Sequence, residues 1–214
     1  MSRVICIMGE SGSGKTTSMR NLDPKTTFYI DCDKKGLSWK GWKQQYKEGD
    51  NYYRGDKPTN VMQCLKALDA NEKHKKYKTV VIDTLNGIMV AEEMRNLKVT
   101  GYGKWTDLAS YIYEIVDYAL SARDDLTVVF IAHSETISDD NGMIFTRIKT
   151  NGRKLDKIVL ESKFTTVLLA ECKDGRYIFH THSDRSSAKT LLGAFEESEI
   201  DNDIVKVIKA LEDF

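Results

Sequence analysis

The chain has 214 residues, which is enough for one domain with its own hydrophobic core. Its 32 Lys and Arg residues balance 32 Asp and Glu residues, and the resulting net charge of zero excludes a general electrostatic attraction to nucleic acid. The four cysteines form no C-x-x-C pair and no apolar run is long enough to span a bilayer, so we expect a cytoplasmic protein with reduced thiols and no membrane partner.

The first predicted strand, residues 3–8, leads into a phosphate-binding P-loop (Walker A) pattern. Residues 9–16 read Gly-Glu-Ser-Gly-Ser-Gly-Lys-Thr, which fills every fixed position of G-x-x-x-x-G-K-[ST]. The glycines let several backbone N–H groups point at one phosphate, and we expect a helix over residues 15–21 to add positive charge from its N-terminus. The predicted nucleotide-binding residues are Gly9, Glu10, Ser11, Gly12, Ser13, Gly14, Lys15, Thr16 and Thr17.

Two side chains of this loop carry specific chemistry. Lys15 is predicted to reach the β- and γ-phosphates, and the Thr16 hydroxyl to ligate Mg²⁺. A P-loop protein needs a second Mg²⁺ ligand at the end of another buried strand. Asp83 directly follows the apolar run 80–82, so we expect Asp83 to bind Mg²⁺ through water. The sequence therefore predicts a protein that binds a nucleoside triphosphate, with ATP and Mg²⁺ as cofactors.

Two more strand ends carry candidate catalytic side chains. Asp31 and Asp33 end the second predicted strand, where side-chain alternation would place both on one face. We predict that Asp33, which is farther out, positions or deprotonates the attacking water; the alternative is that one or both carboxylates cap the following turn. His133 ends the fourth strand and is predicted to sense the γ-phosphate; the alternative is a hydrogen-bonded histidine without that role. The predicted catalytic residues are Lys15, Asp33, Asp83 and His133.

Up to about residue 140 the predicted elements alternate between strand and helix, which is typical of a parallel sheet with helices on its faces. The strands are 3–8, 27–32, 79–83 and 126–132, and the helices are 61–73, 85–97 and 106–122. Further strands are predicted at 142–150, 164–173 and 176–181, with a helix at about 202–213. Asp174-Gly175 indicates a hairpin, so these strands should extend the sheet in antiparallel fashion. We predict one domain over 1–214, with a core at about 1–140 and an extension at about 141–214.

Together these motifs resemble the RecA-like ATPase core, and the chain is most similar to the phage-borne AAA-family ATPases of the Sak-type single-strand annealing family. The resemblance covers nearly the whole chain. It implies an α/β fold of the RecA-like P-loop NTPase class, mainly a parallel sheet flanked by helices, with antiparallel strands on the C-terminal side. It also implies a water-activating acid, matched by Asp33 where RecA has Glu, and a sensor on the strand between those of the P-loop and Asp83. His133 takes the sensor position, where RecA has Gln.

The resemblance further implies two DNA-facing loops, here residues 100–105 and residues 134–141, the second continuing into the basic stretch 147–163. In the first loop Tyr102 and Trp105 would stack on bases, although Trp105 could instead pack against the helix start. Basic residues could bind DNA phosphates or reach a neighbouring subunit's nucleotide; the alternative for each is an ordinary solvated charge. The candidates for DNA binding or for action in trans are Tyr102, Lys104, Trp105, Arg147, Arg153, Lys154, Arg185 and Lys189.

The function implied is a DNA-stimulated ATPase that binds single-stranded DNA and promotes annealing during phage recombination, in the cytoplasm of an infected bacterium. Such a protein would form a homo-oligomeric ring or filament, with a phage single-strand-binding protein as a further partner. Two alternatives stay open at this point. One is a P-loop kinase acting on a nucleoside or nucleotide, and the other is a nucleotide-regulated interaction module with little turnover.

Overall fold

The computed structural model describes residues 2–101, 103–138, 142–151 and 159–214, without the side chains of Lys104 and Trp105. The strands are β1 Arg3–Gly9, β2 Thr27–Asp31, β3 Tyr52–Arg54, β4 Thr79–Asp83, β5 Thr127–Ser138, β6 Ile144–Ile148, β7 Thr166–Lys173, β8 Arg176–His180 and β9 Glu199–Asp201. The α-helices are α1 Trp42–Gln45, α2 Pro58–Ala70, α3 Leu85–Arg95, α4 Gly103–Ser121 and α5 Ile204–Ala210, and the short 3-10 helices are Thr17–Met19, Glu72–His74 and Leu160–Lys163.

The strands form one sheet in the order β3-β2-β4-β5-β1-β7-β8-β9, with β6 paired to β5. The six strands from β3 to β7 in this order are parallel, and β8 and β9 extend the sheet in antiparallel fashion. This confirms the predicted α/β fold class with antiparallel strands on the C-terminal side, but the antiparallel extension predicted for residues 164–173 is wrong, because β7 pairs in parallel with β1. Strand β5 lies between β1 and β4, so the strand that carries His133 separates the P-loop strand from the Asp83 strand, as the RecA-like resemblance implied.

The continuous apolar runs of the central strands follow from burial on both faces of the sheet. In β1, Val4, Cys6 and Met8 face the cluster formed with α2, α3 and α4, whereas Ile5 and Ile7 face a second cluster on the opposite side. The second cluster contains α5 and an aromatic group around Tyr29. The sheet is thus fixed between two hydrophobic layers, and the carboxyl ends of its parallel strands lie at one edge.

The chain after the P-loop departs from the prediction. A 3-10 turn, Thr17–Met19, replaces the helix predicted over residues 15–21. Hydroxyl residues at positions 16–18 favour local hydrogen bonds over helix, and Ser18 Oγ donates to the Lys15 carbonyl oxygen at 2.6 Å. A turn this short carries little dipole, so it does not supply the positive helix end that the sequence predicted.

Strand β5 is longer than predicted. Residues 134–138, expected within a DNA-facing loop, continue the strand and pair with β6 from Ser134 opposite Ile148 to Ser138 opposite Ile144. β-Branched and aromatic residues favour this pairing, with Ile137 opposite Phe145. We call residues 134–138 and 144–148 the β5–β6 hairpin; residues 139–141 of the predicted loop lie outside the described residues.

Other elements agree more closely with the sequence pattern. Asp174 and Gly175 have φ values of 51° and 75° and join β7 to β8 as the predicted two-residue hairpin. The short elements α1, β3 and β9 lack a sequence pattern strong enough to predict them. In the described part of the chain no helix is long and apolar enough to cross a bilayer.

The packing of β7 against β1 gives a stability prediction. Leu168 on β7 is 0% exposed, whereas Leu192 is 97% exposed. We expect Leu168→Ala to lower the free energy of unfolding by about 2–5 kcal/mol, since it leaves a cavity in the core. Leu192→Ala, the matched control, should change it by less than about 0.5 kcal/mol. Urea unfolding measures both, and equal losses in the two variants would contradict this packing.

Candidate active site

The P-loop begins at the end of β1 and needs glycine at defined points. Gly12 and Gly14 have φ values of 83° and 89°, which L side chains rarely adopt. At Gly14 a Cβ would also lie 2.7 Å from Cδ1 of Tyr177, so the ring of this β8 residue packs directly on the loop. Ser13 Oγ is buried and has no hydrogen-bond partner among the described residues, which leaves it available to a ligand oxygen.

Lys15 folds toward its own loop. Its Nζ donates to the carbonyl oxygens of Gly9 at 2.7 Å and Glu10 at 2.6 Å. Burial lowers the pKa of Lys15 to about 8, while the nearby Asp83 carboxylate acts in the opposite direction. The residue lines a cavity of about 310 Å³ together with other P-loop residues, Thr17, Lys35, Ser38, His133 and Tyr177. A phosphate there would meet a partly desolvated cation beside the glycine-rich loop.

Asp83, at the end of β4, is hydrogen-bonded to the P-loop that follows β1, although β5 lies between these two strands. Its Oδ2 accepts hydrogen bonds from Thr16 Oγ1 at 2.8 Å and from Tyr29 Oη at 2.6 Å. The carboxyl group is 2% exposed, and burial raises its pKa, against the lowering effect of these two hydrogen bonds. Its Oδ1 is buried without a hydrogen-bond partner among the described residues. Tyr29 therefore fixes the orientation of the carboxylate.

These groups fit Mg²⁺. A threonine hydroxyl and a carboxylate lie side by side, and one buried carboxylate oxygen lacks a partner. Among the described residues, no group of three or more His, Cys, Asp or Glu side chains is arranged to hold a metal ion. Magnesium bound by a hydroxyl and one carboxylate would take water and phosphate oxygens as its other ligands. Thr16 and Asp83 would hold the ion, which would neutralise phosphate charge.

The two carboxylates after β2 have different surroundings. Asp31 is buried and accepts hydrogen bonds from Gly36 N at 2.8 Å and Tyr52 Oη at 2.6 Å, so it caps the following turn. Asp33 faces the Asp83 strand instead: its Oδ1 accepts from Thr84 Oγ1 at 2.9 Å. The prediction that both aspartates share one face is wrong, because β2 ends at Asp31 and strand alternation does not extend to Asp33.

Asp33 is held at both of its oxygens. Its Oδ2 forms an ion pair with Lys35 Nζ at 2.5 Å. A Cβ at Gly87 would lie 2.5 Å from Asp33 Oδ1, so glycine at the start of α3 makes room for the carboxylate. A carboxylate at this position can orient a water molecule or accept its proton once one of its oxygens is released.

His133 lies beside the P-loop, opposite Gly9 in the pairing of β1 with β5, and lines the same cavity as Lys15. Burial, with a further contribution from the Lys15 charge, lowers the pKa of His133, so its imidazole is neutral at pH 7. Its backbone N–H donates to Asn86 Oδ1 at 2.7 Å, and its carbonyl accepts from Lys149 N at 2.7 Å. The histidine thus lines the cavity at the P-loop and is hydrogen-bonded to the base of the β5–β6 hairpin.

A protein-family model described as an AAA domain matches residues 1–191. The chain belongs to this AAA-domain family. The matched region contains the P-loop, Asp33, Asp83 and His133, and the family relation gives the chain the general activity of a nucleotide-binding ATPase. A search of curated proteins gave no match. Within this AAA domain the structure brings Lys15, Thr16, Asp33, Asp83 and His133 to one edge of the sheet; their individual catalytic roles stay predictions.

The predicted DNA-binding and trans-acting residues are dispersed over the AAA domain. Arg147 on β6 forms an ion pair with Glu135 Oε1 at 2.9 Å, so its positive charge is already balanced by a carboxylate. Arg185 and Lys189 are exposed, and neither forms an ion pair with another described residue. The backbone of Lys104 and Trp105 lies in the first turn of α4 rather than in the loop predicted over 100–105. Their side chains, together with Tyr102, Arg153 and Lys154, lie outside what the structure describes.

Sequence reasoning missed Tyr29, Thr84, Lys35 and Tyr177. Tyr29 lies two positions before Asp31 in a strand, where an aromatic residue is ordinary core, and nothing in the sequence shows that its hydroxyl reaches Asp83. Thr84 directly follows Asp83, and this adjacency is the feature of the sequence that could have identified Thr84 as part of the site. Tyr177 is remote in sequence, and only the pairing of β8 with β7 places it on the P-loop.

The lowered pKa of Lys15 predicts pH-dependent nucleotide binding. Bound phosphate favours the charged ammonium, so binding above pH 8 requires the uptake of a proton. We expect ADP affinity to be constant from pH 6.5 to 7.5 and to fall as pH rises through 8 to 9.5, by roughly tenfold for each pH unit above the pKa. Calorimetry in buffers of different ionisation enthalpy would measure the proton uptake.

Lys15→Arg is the control for this prediction, since a guanidinium stays charged throughout this pH range. Its ADP affinity should be weaker overall but should lack the decline above pH 8. If wild type and Lys15→Arg show the same pH dependence, then another group is responsible.

Proposed function

We propose that this AAA domain hydrolyses Mg²⁺-ATP and uses the reaction to control the binding and annealing of single-stranded DNA in phage recombination. The observation that supports the proposal best is the continuity of β5. This strand runs from residues buried beside the P-loop, through His133 in the nucleotide cavity, into the exposed β5–β6 hairpin without a break. One rigid element therefore connects the phosphate site with an exposed surface.

The hydrolysis step uses groups already close together. Lys15 and the P-loop N–H groups bind the phosphates, and Asp33 accepts the proton of the attacking water while Thr84 keeps its carboxylate oriented. Mg²⁺ held at Thr16 and Asp83 would supply charge neutralisation. Tyr29, buried beneath Asp83, keeps that carboxylate aligned.

The coupling step begins at His133. A neutral imidazole can hydrogen-bond a γ-phosphate, and loss of that phosphate changes the hydrogen-bonding of the ring. Asn86 bridges the two strands of the hairpin at its base, since it accepts from His133 N and donates to the Lys149 carbonyl oxygen at 2.8 Å. A shift of His133 therefore moves the start of the hairpin together with α3.

The hairpin surface suits single-stranded nucleic acid. Ile144 and Phe145 are exposed on it, Met143 is exposed just before β6, and Lys149 and Arg185 are exposed cations beside it. Thr146 N donates to the Arg185 carbonyl oxygen at 2.8 Å, which fixes Arg185 next to β6. An aromatic ring among apolar groups can stack on bases while nearby cations bind phosphates, which is how sequence-independent single-strand binding is achieved.

We propose further that the protein forms a homo-oligomer and binds a partner protein. Copies of the chain form a ring or filament in which Arg185 or Lys189 approaches a neighbour's nucleotide, because an isolated P-loop site hydrolyses slowly without such a cation. The Sak-type resemblance suggests a phage single-strand-binding protein as partner and the cytoplasm of an infected bacterium as location. Tyr102, Lys104, Trp105, Arg153 and Lys154 remain candidate DNA contacts.

ATPase rates with and without single-stranded DNA test this function. We expect the rate to rise on addition of DNA at low salt, since phosphate contacts weaken steeply as salt increases. The double variant Lys149→Ala/Arg185→Ala, which removes the two exposed cations beside the hairpin, should bind DNA more weakly and reduce the salt slope of binding by up to about 2. Lys73→Ala is the control, because Lys73 is exposed and lies at the opposite, amino-terminal edge of the parallel strands.

Two results would contradict the proposal. One is a rate indifferent to DNA together with no DNA binding at low salt. The other is ATP consumption that requires an added nucleoside or nucleotide as acceptor, which would indicate a kinase.

A further inference from the structure

Lys35 lies at the phosphate cavity in a position that neither the P-loop pattern nor the family relation assigns. It lines the same cavity as Lys15 and Thr16 and forms an ion pair with Asp33 Oδ2 at 2.5 Å. Its positive charge is close enough to act electrostatically on Lys15, Asp83 and His133. Lys35 thus contacts the candidate base directly and shares the cavity of Lys15, Thr16 and His133.

The backbone around Lys35 holds it there. Lys34 has a φ of 57° and its carbonyl oxygen accepts from Arg54 Nε at 3.0 Å, while Gly36 N donates to Asp31. The turn is thus anchored on both sides of Lys35. The Lys34 side chain forms an ion pair with Asp56 at 2.6 Å, separate from the cavity. Of two adjacent lysines, one reaches the phosphate cavity and the other does not.

The ion pair between Lys35 and Asp33 is suited to exchange of partners. The Lys35 side chain is 52% exposed, and ion pairs of this exposure contribute little to stability. The other Asp33 oxygen stays bound to Thr84 Oγ1, so the carboxylate keeps its position if the ammonium leaves. A γ-phosphate carries more negative charge than one carboxylate and competes effectively for the ammonium.

We propose that Lys35 is a second phosphate-binding cation of this site, which leaves Asp33 for the γ-phosphate when ATP binds and so frees Asp33 to act as the base. The inference rests on the proposed ATP hydrolysis. In that reaction the water oxygen bonds to the γ-phosphorus as the bond to the bridging oxygen breaks. ADP leaves with the electron pair, and the water proton passes to Asp33. Lys35 stabilises the charge on the γ-phosphoryl oxygens and keeps Asp33 inactive until a triphosphate is present.

Binding of a nonhydrolysable ATP analogue and of ADP tests the phosphate contact without turnover. Wild type should prefer the analogue, and Lys35→Met should reduce this preference by about tenfold or more, the effect of losing one charge-assisted hydrogen bond. Lys35→Arg should retain most of it. Lys34→Met, the matched control at the adjacent lysine, should leave the preference unchanged. An analogue-to-ADP ratio in Lys35→Met equal to that of wild type would overturn the proposal.

The rate of ATP turnover tests whether Lys35 stabilises the charge on the γ-phosphoryl group during hydrolysis. Lys35→Met should lower kcat by about 100-fold or more, as for the loss of a group that stabilises transition-state charge, and Lys35→Arg should partly restore it. A rate at or above the wild-type value would show that Lys35 merely restrains Asp33 and would overturn the assignment. If wild-type protein fails to hydrolyse ATP under any condition, the proposed function fails, while the analogue-to-ADP comparison still decides whether Lys35 contacts the γ-phosphate.

Discussion

The buried carboxylate of Asp83 organises this active site. Its Oδ2 receives hydrogen bonds from Thr16 at the P-loop and from Tyr29 on β2, so one oxygen joins elements on both sides of β5. Burial raises the pKa of the group and makes its charge costly unless partners surround it. The remaining oxygen has no partner among the described residues, so it is open to a water molecule or to a Mg²⁺ ion.

The rest of the site extends from this carboxylate. The next residue, Thr84, orients Asp33, and α3 begins immediately afterwards with Asn86 in contact with His133 and Lys149. The candidate metal ligand, the candidate base, the candidate sensor and the hairpin base are therefore linked through the four consecutive residues 83–86. Such close linkage explains how a change at the γ-phosphate could reach the β5–β6 hairpin.

The sequence predicts the parts of this site that depend on local patterns. The P-loop is recognisable from its fixed positions, and Asp83 and His133 from buried apolar strands that end in a polar residue. The fold class follows from the alternation of strands and helices. What the sequence does not reveal depends on tertiary contacts: the split between Asp31 and Asp33, the ring of Tyr177 on Gly14, and the position of Lys35. The short turn after the P-loop shows local hydrogen bonding by hydroxyl side chains prevailing over a helix pattern.

In the proposed reaction Asp33 activates water at a site that Lys15, Thr16 and Asp83 prepare. Single-turnover hydrolysis of bound ATP by wild type and by Asp33→Asn, with ATP affinity measured alongside, tests it most directly. The amide keeps the shape of the side chain and can still bond Thr84, but it cannot accept the proton. We expect hydrolysis to slow by about 10²-fold or more with ATP affinity nearly unchanged. An Asp33→Asn rate equal to that of wild type would contradict the account.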